Sequence, residues 1–108
     1  MTIDPADRAV LIRISRRYRP QMTDEQLYEA TRKWWVLNPN RDPDWAMAVF
    51  AGVIRAVYRI DDWEKDPNSR RWAFRGVREA PLENRYVGRD VSDYFPRGAA
   101  NPIRYVNC

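Results

Sequence analysis

Two close carboxylate pairs, Asp42 with Asp44 and Asp61 with Asp62, are the first residues in this chain whose spacing suggests chemistry. Neighbouring acids can hold a divalent metal or share general acid and base work. A metal-dependent nuclease would add a third convergent acid and a catalytic lysine, and Lys33 and Lys65 are the two lysines in the sequence. Both acid pairs fall in polar segments beside candidate strands, where solvated turn carboxylates are the ordinary state. The absence of His removes the usual general base, the Ser–His and Cys–His nucleophile pairs, and the commonest metal ligand. The one Cys, at position 108, excludes an internal disulfide and a Cys-based zinc site. The four Gly lie apart at positions 52, 76, 88 and 98, so no Gly-rich phosphate loop is present. These exclusions favour a binding module with no cofactor and no metal site over an enzyme. The alternative within catalysis is a metal-dependent nuclease or another enzyme acting on nucleic acid.

Arginine and tryptophan carry the positive signal. Arg outnumbers Lys 17 to 2, and its planar fork suits phosphates, carboxylates, guanine edges and aromatic faces. Trp34, Trp35, Trp45, Trp63 and Trp72 are many for 108 residues. Trp buries a large area yet needs a partner for its N–H, so such chains have large-residue cores, aromatic pockets, or both. A net charge of +4 makes an acidic partner plausible. The competing reading is a structural or protein-interaction domain, with every Trp in the core and every Arg in solvent.

A chain of 108 residues fits one domain, 1–108. The opening Met1-Thr2-Ile3-Asp4-Pro5 has acid and Pro where a signal peptide has bases and an apolar run. The longest nearly apolar stretch, Trp45 to Ile54, is too short to span a bilayer. A bacterial cytoplasm is the compartment these features suggest, with no membrane partner.

The elements that must position these residues can be read in order. Val10-Leu11-Ile12-Arg13-Ile14 is a β-branched run that reads as a strand within 8–15, although Asp4-Pro5 would also start a helix. Thr23-Asp24-Glu25-Gln26 is a capping box, and Leu27, Ala30, Thr31 and Trp34 recur at helical spacing. The pattern predicts a helix over 24–36, stopped by Asn38-Pro39. Trp45 to Ala51 and Val53 to Ile60 read as an antiparallel pair turning at Gly52. Asp61-Asp62-Trp63 then leads into a polar loop with a turn at Asp66-Pro67-Asn68-Ser69. Arg71 to Val77 alternates as a strand. A loop with Pro81 and Asn84 precedes Tyr86-Val87-Gly88, a short helix capped by Asp90 follows, and Ile103 to Val106 is a last strand. The class is α+β, a small curled antiparallel sheet or β-barrel with one long helix and one or two short ones.

Two family resemblances bear on function. Gly52-Val53-Ile54 and Tyr86-Val87-Gly88 resemble the paired triplets of the GIY-YIG endonucleases, with Arg97 in place of the family's Arg. The first triplet lacks its Tyr, the triplets lie too far apart, and no Glu follows Glu83 to hold a metal. The fuller resemblance is to the PUA-like superfamily, which includes the ASCH, EVE, YTH and SRA modules. It rests on a strand, a capped helix ending in Trp34-Trp35, the hairpin AMAVFAGVIRAVYRIDDW and the strand RRWAFRGV. It implies a small distorted β-barrel that binds DNA or RNA, or a nucleotide-like ligand, and holds a base or modified base in an aromatic pocket. Under that resemblance Trp35, Trp63 and Trp72 line the pocket, Asn38 or Asn101 reads a base edge, and Arg71, Arg75, Arg97 and Arg104 meet phosphates. The segment YFPRGAANPIRYVN presents a Gly-containing loop between Arg97 and Arg104, suited to an anion or to closing the barrel.

Overall fold

The computed structural model of the protein describes residues 2–108. The β-branched run near the N-terminus is strand β1 (Ala9–Arg13), buried from Ala9 to Ile12. It is flanked by β2 (Trp45–Phe50), which runs parallel to it, and by β5 (Ile103–Val106), which runs antiparallel. A parallel neighbour requires a crossover, and residues 14–44 supply one that includes helix α1 (Asp24–Arg32). The hairpin at Gly52 forms as its residues predict. Ala51 and Gly52 have φ of 53° and 74°, the left-handed pair that a two-residue turn between twisted strands needs. Strand β3 (Val53–Lys65) returns along β2, and β4 (Trp72–Arg78) pairs with its far half. Helix α2 (Ala80–Tyr86) follows. The five strands form one sheet in the order β4-β3-β2-β1-β5. The α+β class is therefore borne out, but the sheet is mixed and unclosed rather than all-antiparallel or a barrel, with β1 and β2 the one parallel pair among the described residues.

Three boundaries differ from the sequence reading. Helix α1 has its capping box, with Thr23 Oγ1 accepting from Gln26 N at 3.1 Å. It stops at Arg32 rather than at 36, because the next residues leave to pair with β4: Trp35 and Trp72 form an antiparallel bridge. Asp61, Asp62 and Trp63 lie within β3, not in a loop. A bulge between Ile60 and Asp62 breaks the alternation that would have marked them as strand. The segment with Pro81 and Asn84 is α2, with Pro in its first turn and Leu82 and Tyr86 on one buried face.

Both sheet faces are buried, which is why β1 and β2 read as unbroken apolar runs. On one face Ala9, Leu11, Met47, Val49 and Val57 pack beneath α2 residues Leu82 and Tyr86. On the other, Val10, Ile12, Ala46, Ala48 and Ala56 meet α1 and the segment after it. The three alanines there leave room for Trp35, Tyr58 and Phe74 in the same cluster. The exposed edge of β4 is covered from α1. Tyr28 Oη accepts from Gly76 N at 3.0 Å, and Arg32 Nε donates to Phe74 O at 2.9 Å. Those side chains satisfy backbone groups that would otherwise template another strand. Among the described residues no helix is long and apolar enough to cross a membrane.

Candidate anion-binding groove

A groove of about 730 Å³ opens at the C-terminal end of β1. Its floor and rim come from three stretches distant in sequence. Residues 13–17 lead out of β1, residues 99–102 lead into β5, and Trp35 and Val36 lie on the extended segment after α1. Arg71, just ahead of β4, completes it. The assembly follows from the topology. β1 ends beside the start of antiparallel β5, and the Trp35–Trp72 bridge brings Arg71 across to them.

Four arginines face this groove, Arg13, Arg16, Arg17 and Arg71, with no acidic residue in its lining. Among the described residues none of the four forms an ion pair, whereas Arg32, Arg59, Arg75, Arg78 and Arg85 each meet a carboxylate. Three of the four are instead fixed by backbone carbonyls. Arg13 Nη2 donates to Ala99 O at 2.8 Å, and Arg71 Nη1 donates to Trp34 O at 3.3 Å. Arg17 Nη1 donates to Ala30 O at 3.1 Å and also to the Lys33 carbonyl. These carbonyls belong to the last turn of α1 and just beyond, where a cation is favoured by the helix dipole. The Arg17 guanidinium also lies over the Trp35 ring, 4.4 Å from its centroid. Burial, and then the positive charge of Arg71, push the Arg17 pKa below its ordinary value. Arg17 and Arg71 thus repel each other, and three of the four cations are held in place without an ion pair among the described residues, an arrangement that attracts an anion.

Of the residues singled out from sequence, the groove gathers Trp35, Arg71 and Asn101. Trp35 is 8% exposed and its indole N–H donates to Thr31 O at 2.8 Å, so its ring is a wall rather than an open platform. Asn101 uses its Oδ1 to accept from Ile103 N at 3.0 Å. The other six lie elsewhere in the fold. Asn38 caps a 3₁₀ turn, its Oδ1 accepting from Asn40 N at 3.0 Å. Trp63 packs edge-on against Phe74 with centroids 6.3 Å apart, on the sheet face that α1 covers. Trp72 is half-buried and bonds Trp35 through its backbone. Arg75 pairs with Glu64 at 3.1 Å. Arg104 donates to Tyr94 O at 2.9 Å and to Ile103 O at 2.8 Å, which ties it to its own loop. Arg97 is exposed and is not part of the groove lining.

Sequence reasoning missed Arg13, Arg16 and Arg17. Their signal was present as RISRR at the end of an apolar strand, a point where a chain leaves a sheet and exposes its side chains. The carboxylate pairs do not converge. Asp61 pairs with Arg59 at 2.7 Å, which holds its carboxyl below the usual range. Asp62 accepts from Trp63 N at 2.8 Å. Among the described residues no three Asp, Glu or Cys side chains cluster as metal ligands would. Compared with protein-family models, with curated proteins and with solved structures, the chain finds no match in any of the three.

Proposed function

We propose that this protein is a non-enzymatic module that binds nucleic acid, or a nucleotide-like ligand, in the arginine groove. The observation that carries the reading is the set of four arginines around one concavity, without a carboxylate partner among the described residues. Phosphates are the anions that present repeated charge along a groove, and Arg forks onto them with two parallel hydrogen bonds. The volume of about 730 Å³ lies within the range of ligand clefts, large enough for a nucleotide with its flanking phosphate. The proposal keeps the likeness to PUA-like modules for its order of strand, capped helix, hairpin and strand. It also keeps the expectation of a bacterial cytoplasmic protein. A domain that only docks another protein is the second reading, supported by the packing of Trp63 and Trp35 into the core.

Fluorescence titration with short single-stranded and double-stranded oligonucleotides tests the proposal. Joint charge reversal, Arg16→Glu with Arg71→Glu, should weaken binding at least about tenfold and alike for all sequences, since phosphate contacts carry no sequence information. Unchanged affinity in that variant would move the site elsewhere, and no binding by the native protein would favour the docking domain. Metal-dependent cleavage of the oligonucleotide would point to the nuclease reading.

A further inference from the structure

We infer that the Arg17 guanidinium, laid over Trp35, is the surface on which a nucleobase stacks in this groove. The inference rests on the groove binding nucleic acid and adds how a base is held there. A base entering the groove cannot reach the indole of Trp35. One face of that ring lies under Arg17 at 4.4 Å, its N–H is bonded to Thr31 O, and only 8% of the residue is exposed. The planar group offered at that place is the guanidinium. Arg17 is an exposed residue of the groove lining, so the groove side of its side chain is open to a ligand. Bases stack on guanidinium planes as they do on aromatic rings.

Preorganisation separates Arg17 from an ordinary surface arginine. Its Nη1 is committed to the carbonyls of Ala30 and Lys33, and its Cζ rests 4.4 Å from the Trp35 ring centroid. Little rotamer freedom is then left to lose on binding. The neighbours divide the remaining tasks. Arg16 and Arg71 are exposed lining residues and supply charge for phosphates. Val36, 44% exposed in the same lining, offers an apolar contact to the sugar or the base edge. The arrangement is a Trp–Arg–base stack beside a phosphate clamp, which suits an unpaired nucleotide better than a duplex, whose bases present no free face.

The experiment compares a short single-stranded oligonucleotide with an abasic strand of equal phosphate count. The native protein is expected to bind the base-bearing strand about tenfold tighter, the scale of one stacked base. Arg17→Lys keeps the charge and removes the plane. It should bring the two affinities within about twofold of each other, while the abasic affinity changes by no more than about twofold. Equal affinity of the native protein for both strands, or a preference that survives Arg17→Lys, overturns the inference while leaving the phosphate groove intact. Binding of neither strand overturns the groove reading and this inference together. Equal native affinity for the two strands overturns the inference even if Arg17→Lys loosens the end of α1.

Discussion

Trp35 and Trp72 exchange both of their backbone hydrogen bonds, Trp35 N to Trp72 O at 2.9 Å and Trp72 N to Trp35 O at 2.8 Å. Three residues further on, Asn38 N donates to Tyr105 Oη at 2.6 Å. The segment after α1 therefore reaches from the β4 edge of the open sheet to the β5 edge, and the groove wall is built on that bridge. Tyr105→Phe removes the acceptor at the β5 end. The expected result is a loss of about 1 kcal/mol and faster hydrogen exchange at the Asn38 amide. The Trp35 amide should stay protected by Trp72.

Gly76 marks a close approach of β4 to β3. A Cβ at this position would lie 1.9 Å from the Arg59 carbonyl oxygen and 2.9 Å from its carbon. Both are backbone atoms opposite the bulge, so no side-chain rotation relieves the clash. Gly76→Ala should cost about 3 kcal/mol or more and lower Tm by more than about 10 °C. A melt unchanged within about 2 °C would mean that the two strands separate without penalty.

Tyr58 gives a test by pH. Burial pushes its phenol from 10.0 up to about 12, against the opposing pull of Arg78 and Thr31. The folded state thus keeps a proton that the unfolded chain releases. The corresponding stability is fully present below about pH 10 and is lost as pH rises through about 12. Thermal melts across that window should show the native protein losing stability relative to Tyr58→Phe. At neutral pH the two should differ by no more than about 1 kcal/mol, the scale of one hydroxyl hydrogen bond.

Trp63 separates core from groove. Its edge-on contact with Phe74 and its place in the cluster with Tyr58 predict that Trp63→Ala costs about 2–3 kcal/mol, less than a fully buried Trp because it is half-exposed. Oligonucleotide affinity should stay within about twofold of native, as Trp63 does not line the groove. Weakened binding with an unchanged melt would instead return Trp63 to a ligand pocket.

Local signals in the sequence were read well where they were complete in themselves. The capping box at Thr23 and Gln26, the β-branched run of β1 and the turn at Gly52 each specify an element without outside help. Signals set by tertiary contact were not legible. The helical pattern runs on past Arg32 in the sequence, but pairing of Trp35 with Trp72 draws the chain out of the helix. The bulge near Asp62 hid the second half of β3, and Pro81 read as a loop residue although it fits the first turn of α2. The groove shows the same division. Trp35, Arg71 and Asn101 were singled out by residue type, but that they meet depends on the crossover and the bridge. Arg13, Arg16 and Arg17 were passed over because an arginine-rich strand end looks like any solvated one until the fold leaves it without acids.

The central claim is that the groove arginines bind phosphates, and the salt dependence of oligonucleotide affinity tests it most directly. With Arg13, Arg16 and Arg71 on phosphates and Arg17 under a base, the plot of log K against log salt should have a slope of about −2. Arg16→Glu with Arg71→Glu should flatten that slope by about 1.5 and weaken binding at every salt concentration. A native slope near zero, or a slope that this double variant leaves unchanged, would contradict the claim.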